Sequence, residues 1–349
     1  MYTNVPFWLS ALFIVGGLVA LTWSSDLFVD GASALARKLG ISPFIIGMVI
    51  IGFGTCAPEF CVSLFSSLSN HANLSLGNAY GSCVFNVAGI LGIAAMVSPL
   101  VVKPTLVFAG APLMTAVAVF SIFFLRDGSL GRFESLVLLA VFAVIMPIYC
   151  WFDQKKKVEV EGGGGERGDT AGEDAPRYGG EDAPRCGGLW MAYALLVGLG
   201  VMVGASHLLV WGSVDLARQL GVGELLIGLT IVAIGTSIPE LATAVAAARK
   251  GESELVLGNI VGSNLFNTLC VVGTAGAASA EPVTGFSTGY VVGRDLVALV
   301  VISMTVFLFG INWRKPREAG LVTRGEGALW VLLFIAYLSL TIYQEVFHG

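Results

Sequence analysis

Two glutamates stand at matching positions in the chain, each inside a long apolar segment. Glu59 ends the hexapeptide GTCAPE (residues 54–59), and Glu240 ends the hexapeptide GTSIPE (residues 235–240). A carboxylate at the centre of a membrane-crossing helix costs about 2.5–3.5 kcal/mol on insertion scales, and acidic residues in such helices are usually functional. The pair therefore predicts one site in the membrane to which both glutamates contribute.

The residue before each glutamate is a proline, which predicts an interrupted helix. Pro58 and Pro239 lack an amide donor, and a proline ring pushes away the carbonyl one turn earlier, so backbone carbonyls are freed. An asparagine follows each glutamate at the same distance of 27 positions. The side chains that add oxygen atoms to this site are those of Thr55, Thr236, Ser237, Asn86 and Asn267.

These residue types favour a site for a hard cation. Carboxylate, hydroxyl, carbonyl and amide oxygens suit Ca²⁺ and Na⁺, and without a nearby histidine a zinc site is not indicated. The structural alternative is a buried acid pair that only joins helices, but no Lys or Arg lies in these segments to neutralise it. For Asn86 and Asn267 the alternative is an amide bridge between helices.

The composition assigns the chain to the membrane. Hydrophobic residues make up 56% of the 349 residues and charged residues 12%, with a mean hydropathy of +0.83, values that a soluble core of this length does not reach. The net charge of −5 comes without a concentrated basic face, which argues against nucleic acid as a partner. Six cysteines without CxxC spacing indicate neither a disulfide framework nor a zinc site. We therefore expect a polytopic protein of the lipid bilayer.

Ten apolar segments are each close to the ~20 residues that a helix needs to cross a bilayer. The first lacks the features of a signal peptide, so we expect it to remain as a transmembrane helix. A Gly-rich charged stretch, 153–188, predicts a disordered linker, with a regulatory loop as the alternative. The predicted spans are 6–33, 42–69, 73–98, 104–125, 133–152, 189–215, 223–248, 253–278, 291–311 and 327–347.

The two halves of the chain align without gaps at one offset. The 181 positions that separate Glu59 from Glu240 also separate residues 81–86 (GSCVFN) from residues 262–267 (GSNLFN), which indicates an internal duplication. Because each half crosses the membrane five times, an odd number, the second half enters the membrane in the opposite direction to the first. The predicted fold is an all-α polytopic membrane protein of ten transmembrane helices in two inverted five-helix repeats. Its units are 1–152 with a repeat region at 42–98, the linker 153–188, and 189–349 with a repeat region at 223–278.

The positions of lysine and arginine predict the orientation. With the N-terminus outside, 15 of the 19 Lys and Arg residues lie in cytoplasmic loops, as the positive-inside rule requires. We therefore expect an integral protein of the plasma membrane with both termini outside and the linker in the cytoplasm. The basic residues that remain outside are Arg126, Arg132, Arg218 and Arg294.

The doubled motifs resemble the paired alpha repeats of the cation/calcium antiporter superfamily, specifically its sodium/calcium exchanger branch. The specific part is GTCAPE with GSCVFN in the first half and GTSIPE with GSNLFN in the second. The proton-coupled branch carries a GNxxE pattern, which is absent from these segments. The resemblance covers the ten-helix plan and implies a secondary antiporter that exchanges Na⁺ for Ca²⁺ by alternating access.

The resemblance also implies a role for each motif residue. Glu59 and Glu240 would bind Ca²⁺ and share in the Na⁺ sites. Both ions are transported substrates, and no resident cofactor is expected. The other ligands would be the carbonyls of Thr55 and Thr236, the hydroxyls of Ser237, Ser82 and Ser263, and the side-chain oxygens of Asn86 and Asn267.

Two positions bear on which ions the family resemblance implies. Potassium-dependent relatives carry an aspartate where Asn267 stands, which argues against potassium dependence. Cys56 stands where serine is common, and a thiol is a poor partner for Na⁺. One Na⁺ site is therefore expected to be weakened, shifted or completed by water.

Other functions remain as alternatives at this point. The same glutamates would serve a proton- or potassium-coupled cation exchanger, and a passive cation channel is the alternative from another class. An intramembrane hydrolase that uses the two acids lacks a persuasive nucleophile in these segments. We predict a transporter and not an enzyme.

Overall fold

The computed structural model describes residues 6–38, 52–104, 106–162, 188–284 and 291–348, which are mostly helical. The strands β1 (Leu100–Val102) and β2 (Gly320–Val322) form one antiparallel pair. The helices are α1 (Phe7–Lys38), α2 (Gly52–Thr55), α3 (Ala57–Leu68), α4 (Ala72–Val97), α5 (Leu106–Leu125), α6 (Arg132–Gly162), α7 (Gly188–Leu220), α8 (Glu224–Thr236), α9 (Ile238–Arg249), α10 (Ser253–Ala278), α11 (Val291–Gly310) and α12 (Arg324–His348).

Within the described residues, seven helices are long and apolar enough to cross a membrane: α1, α4, α5, α7, α10, α11 and α12. The pair α8 and α9, bent by 45°, raises the number to eight if it counts as one span. The polytopic membrane character is confirmed, whereas ten spans are not established. The predicted span 42–69 is described only from Gly52, and α6, which covers the predicted span 133–152, is not among the seven.

Both expected helix interruptions are present. Helix α2 ends at Thr55 and α3 begins at Ala57, with Cys56 between them at φ −86° and ψ 1°. In the second half, Ser237 separates α8 from α9 with similar angles, φ −89° and ψ 12°. The proline lies in the first turn of the later helix, where an amide hydrogen would have no acceptor within that helix. Each glutamate is therefore at a helix N-terminus inside the bundle.

Helices α4 and α10 each contain a turn of π-helix that no sequence pattern indicated. The turns are Phe85–Ile90 and Phe266–Val271, so each begins with the Phe-Asn pair of its repeat. A π-turn inserts one residue into an α-helix and changes the direction of the side chains around it. Asn86 and Asn267 both lie in these turns.

The helices that carry the motifs form the centre of the bundle. Helix α4 packs against α3 and α8, and α10 packs against α3 and α9. The buried share of the membrane-crossing stretch is 83% in α4 but only 28% in α1, which lies at the periphery. A methyl group on Gly81 would come 2.6 Å from the carbonyl oxygen of Leu229, so glycine is what allows α4 to approach α8 this closely.

Two groups of contacts between the halves lie near the ends of α4. At the start of α4, Nδ1 of His71 lies 2.9 Å from Oε1 of Glu224. Beyond the other end of α4, β1 pairs with β2, and Lys103 forms an ion pair with Glu254. Since α4 separates the two groups, they lie at opposite ends of the bundle.

The predicted linker lies mostly outside the described residues. Helix α6 continues to Gly162, so its last turns take up the start of the segment 153–188, and α7 begins at Gly188. The boundaries of the two halves at 152 and 189 therefore stay predictions.

Candidate cation site

The two broken helices place Glu59 and Glu240 in one region at the centre of the bundle. Each glutamate lies in the first turn after its break, and the two residues are 0% and 1% exposed. The carboxylates are close enough to interact electrostatically. Their role as ion ligands stays a prediction, but the geometry provides one buried acidic site to which both halves contribute.

Glu59 is held by the opposite half of the chain. Oγ of Ser237 donates a hydrogen bond of 2.8 Å to Oε1 of Glu59, and Thr236 lies beside the same carboxylate. The second oxygen, Oε2, is buried without a hydrogen-bond partner among the described residues. This oxygen therefore has acceptor capacity left for a cation.

Glu240 is less constrained than Glu59. Thr55 and Cys56 lie beside its carboxylate, but in the described part of the chain neither of its buried oxygens accepts a hydrogen bond of good geometry. Together with Oε2 of Glu59, three buried acidic oxygens lack a partner there. Burying ionised carboxylates in this way is strongly unfavourable unless a cation compensates their charge.

The predicted hydroxyl ligands line the same contact between the halves. Oγ of Ser82 donates to the carbonyl of Ala233 at 3.4 Å, and Oγ of Ser263 lies 3.3 Å from Sγ of Cys56. Ser82, Ser263 and Ser237 are all buried. Each of these serines therefore reaches the helix break or the glutamate of the other half.

The predicted asparagines lie in the π-turns. Nδ2 of Asn86 donates to Oδ1 of Asn264 at 3.1 Å, which joins α4 to α10, while Oδ1 of Asn86 has no partner among the described residues. Both polar side-chain atoms of Asn267 are likewise buried without a described partner. None of the described hydrogen bonds joins either asparagine to a glutamate. The nitrogen of Asn86 thus forms the amide bridge between helices that was the alternative, while its oxygen remains available to a cation.

Asn78 is a site residue that the sequence analysis missed. Its Nδ2 donates to the carbonyl of Glu59 and to Oγ of Ser63, both at 3.3 Å, and its Oδ1 accepts from Oγ1 of Thr236 at 3.1 Å. Asn78 therefore ties the first helix break to the second. The available signal was an asparagine in an apolar helix with a repeat mate, Asn259, at the common offset.

Two thiols lie among these oxygen atoms. Cys56 and Cys83 are completely buried and free. Sγ of Cys83 lies 3.4 Å from Oγ1 of Thr268, and the carbonyl of Cys83 accepts from Nδ2 of Asn264 at 3.2 Å. Cys83 and Asn264 are repeat mates, so the two halves of the chain touch at equivalent positions.

The arrangement suits a cation that shares oxygen ligands from many residues. In the part of the chain that the structure describes, no three His, Cys, Asp or Glu side chains are grouped to hold a metal ion. A cation between the glutamates would therefore complete its shell with hydroxyl, amide and backbone oxygens. Hard cations such as Ca²⁺ accept such mixed oxygen shells.

A family model described as "Sodium/calcium exchanger protein" matches residues 9–151 and 190–343 of the chain. The matched stretches are the two predicted halves, and they leave out the predicted linker. The match therefore covers most of the chain.

Curated proteins of similar length align with almost the whole chain. The putative antiporter CaxA of Alkalimonas amylolytica is 35% identical over 331 residues, which are 94% of this chain and 97% of that protein. The inner membrane protein YrbG of Escherichia coli is also 35% identical over 331 residues, with 95% and 96% covered. The sodium/calcium exchanger MaX1 of Methanosarcina acetivorans is 28% identical over 359 residues, with 95% and 98% covered.

Solved structures of the sodium-calcium exchanger NCX_Mj share the fold. The structure soaked with 100 mM Na⁺ and 10 mM Sr²⁺ matches with a TM-score of 0.59 and 27% identity, over 96% of this chain and 99% of that chain. The structure soaked with zero Na⁺ and Ca²⁺ matches with a TM-score of 0.57 and 26% identity, over 95% and 98%. These matches support an integral membrane transporter of the cation/calcium antiport class. The chain belongs to the sodium/calcium exchanger family.

Proposed function

We propose that the chain is a secondary antiporter that exchanges Na⁺ for Ca²⁺, with Glu59 and Glu240 as the shared ligands. The observation that carries the proposal is the pair of buried carboxylates at matching helix breaks, with three oxygens that have no partner among the described residues. Two carboxylates neutralise one Ca²⁺, so the pair matches the charge of the dication. The relatives named as an antiporter and as a sodium/calcium exchanger support the same conclusion.

The other proposed ligands come from both halves. Thr55 and Thr236 are the last residues before the two helix breaks, and the proposed set includes their backbone carbonyls. A hydroxyl such as that of Ser237 keeps its hydrogen bond to Glu59 while a lone pair of its oxygen binds the cation. The complete proposed set adds Ser82, Ser263, Asn86 and Asn267 to these three residues and the two glutamates.

Competition for the same carboxylates would couple the two ions. Several Na⁺ ions must share the oxygens that one Ca²⁺ uses, and like charges repel, so the two loads exclude each other. The empty protein holds two uncompensated carboxylates in a medium of low dielectric, so it rarely switches access to the site from one side of the membrane to the other. When several Na⁺ ions move against one Ca²⁺, transport also moves net charge and responds to the membrane potential.

Helices α1 and α7 are the proposed moving parts of an alternating-access cycle. They pack against each other along their length, and a methyl group on Gly17 would lie 3.1 Å from Cβ of Leu209. The side chain of Leu18 on α1 lies against Gly235 at the break of α8. A tilt of the α1–α7 pair across the breaks would open the site first to one side of the membrane and then to the other.

We propose residues 1–152 and 189–349 as two inverted units. The helix breaks and the π-turns recur at the same offset of 181 positions. Two inverted units are related by a two-fold axis in the membrane plane. When one unit takes up the conformation of the other and the other that of the first, access to the site passes to the opposite side of the membrane, which is how inverted repeats support alternating access.

The proposed topology has both termini outside the plasma membrane and the linker in the cytoplasm. His71 and Glu224 both fall on the predicted outer side, and they contact each other. Lys103 and Glu254 both fall on the predicted inner side, and they also form a pair. These contacts support the common side of each pair, while the orientation rests on the positions of lysine and arginine. Exposed apolar side chains on α1 and α7 indicate lipid as their neighbour.

Uptake of Ca²⁺ into proteoliposomes tests the function. With Na⁺ inside and Ca²⁺ outside, the wild-type chain should concentrate Ca²⁺, whereas E59Q and E240Q should each abolish uptake because a neutral amide removes half of the balancing charge. The matched control is E254Q, because Glu254 is exposed and paired with Lys103 away from the site. Uptake that persists in both site variants would rule out the assignment.

Imposed gradients separate the alternatives. A proton gradient and a potassium gradient, each applied without a sodium gradient, should give no uptake if Na⁺ is the coupling ion. Uptake in either condition identifies proton or potassium coupling. Uptake that needs no counter-ion gradient and never concentrates Ca²⁺ identifies a passive channel.

A further inference from the structure

The proposed cage is chemically asymmetric at one pair of repeat mates. Cys56 and Ser237 occupy the same place in the two helix breaks, 181 positions apart. The hydroxyl of Ser237 donates to Glu59 at 2.8 Å. At the equivalent place beside Glu240, the chain offers the sulfur atom of Cys56.

Two kinds of oxygen atom, from a hydroxyl and from carboxylates, lie around this sulfur atom. Cys56 is completely buried, its Sγ lies 3.3 Å from Oγ of Ser263, and both glutamates lie near it. Both carboxylate oxygens of Glu240 are buried without a hydrogen-bond partner among the described residues. The thiol therefore stands beside an acidic group whose oxygens remain available to a cation.

The surroundings of Cys56 differ from those of a cysteine that only fills space. A buried free cysteine usually behaves as a small apolar side chain. Cys56 instead lies 3.3 Å from the hydroxyl oxygen of Ser263 and beside the carboxylate of Glu240, at the helix breaks. Its sulfur is therefore placed as a ligand atom would be.

The chemistry of sulfur decides which cations such a position prefers. Soft thiolate ligands select soft and borderline metal ions, whereas Na⁺ and Ca²⁺ prefer oxygen. Cadmium is the informative probe, because Cd²⁺ carries the charge of Ca²⁺ and is similar in size but binds sulfur far better. Strontium is the matched hard dication.

We propose that Cys56 makes the Glu240 side of the cage a binding position for soft divalent cations, held by the sulfur of Cys56, the carboxylate of Glu240 and the hydroxyl of Ser263. The inference deepens the proposed function, since it concerns the same site. On binding, a Cd–S bond forms, the S–H bond breaks, and the proton passes to water; no electron is transferred. Cadmium then competes with Ca²⁺ for Glu240.

A binding experiment on the purified full chain in detergent tests this inference. Cys150 and Cys186, whose side chains the structure does not describe, are replaced by serine in the background. Titration with CdCl₂ should produce the ultraviolet charge-transfer band of a cadmium thiolate. The C56S variant should lose this band and bind Cd²⁺ about tenfold or more weakly, because it loses a direct sulfur ligand.

Two controls keep the result specific. C270S removes a half-buried thiol on α10 that lies beside Thr274, so this variant should keep both the band and the Cd²⁺ affinity. Displacement of bound Ca²⁺ by Sr²⁺ should be unchanged in C270S and should remain measurable in C56S, which also shows that C56S is folded. A band that survives in C56S, or that is lost in C270S, would overturn the inference.

The reverse substitution provides an independent test if C56S does not fold. S237C places a second thiol at the mate position beside Glu59, so it should tighten Cd²⁺ binding and increase the thiolate band. An unchanged band in S237C would contradict the proposed geometry. The assay measures binding and needs no ion gradient, so it is independent of transport. If Na⁺-driven uptake is absent but the thiolate band is present and depends on Cys56, the transport proposal is rejected and the cadmium site is retained.

Discussion

At the scale of residues, the matched motifs hold their two glutamates differently. Glu59 accepts a hydrogen bond from Ser237, and Asn78 binds its backbone carbonyl. Both oxygens of Glu240 lack such partners in the described part of the chain. One carboxylate is therefore fixed in position, while the other is free to turn toward an ion. Part of this difference comes from one atom, since Ser237 carries an oxygen where its repeat mate Cys56 carries a sulfur.

The role of Asn78 leads to a prediction for transport. N78A would leave the hydroxyls of Thr236 and Ser63 without their amide partner and release the carbonyl of Glu59. We expect the Ca²⁺ concentration for half-maximal uptake to rise about tenfold, equivalent to ~1.4 kcal/mol, because the glutamate loses its fixed position. Initial rates of uptake over a range of Ca²⁺ concentrations measure this change.

The repeat mate of Asn78 provides the control. Nδ2 of Asn259 has no described hydrogen-bond partner, so N259A should change the half-maximal Ca²⁺ concentration about twofold or less. Equal losses in N78A and N259A would show that Asn78 has no special role in holding Glu59.

At the scale of helices, close packing between α4 and α8 brings their polar side chains into contact. Asn78 and Ser82 lie on α4, and their partners Thr236 and Ala233 lie in the last turn of α8. Gly81 stands between the two contacts and faces the backbone of α8. The hydrogen bonds between α4 and α8 therefore depend on Gly81, whose lack of a side chain lets the two helices come close.

A substitution at this glycine is expected to disturb both stability and transport. In G81A the new methyl group would come 2.6 Å from the carbonyl oxygen of Leu229 and 2.7 Å from Cβ of Ala233, so one backbone must move. We expect a loss of about 1–3 kcal/mol in stability, measured as a lower melting temperature in detergent, and slower Ca²⁺ uptake. G204A is the control, since a methyl group there meets no described atom within 4 Å. Equal melting temperatures for the two variants would argue against close packing at Gly81.

Local chemistry explains which elements could be predicted. Pro58 and Pro239 favour a helix break on local grounds, and long apolar runs locate membrane-crossing helices without knowledge of their neighbours. The bonds of Asn78 depend on how α4 packs against α3 and α8, and Ser237 meets a glutamate 178 positions away. No local pattern carries such contacts. The π-turns could not be predicted either, because no local sequence pattern marks where an α-helix takes up an extra residue.

At the scale of the whole molecule, the bundle has a buried centre and a peripheral pair of helices. The centre holds α3, α4, α8, α9 and α10, while α1 and α7 pack mainly on each other. Helix α7 also contacts α3, where Sγ of Cys61 lies 3.4 Å from Sδ of Met202. This contact joins the proposed moving pair to the proposed static centre.

A reversible cross-link at this contact tests whether the pair moves. In M202C, a short bifunctional methanethiosulfonate reagent should connect α7 to α3 through Cys61 and stop Na⁺-driven Ca²⁺ uptake, because the pair can no longer tilt across the helix breaks. Reduction of the link should restore uptake. The control G17C/L209C connects α1 to α7, where the two Cβ positions are 3.1 Å apart, and should leave uptake intact because the two helices move together. Full uptake in linked M202C would contradict movement of α7 against α3, and loss of uptake in the linked control would show that α1 and α7 move separately.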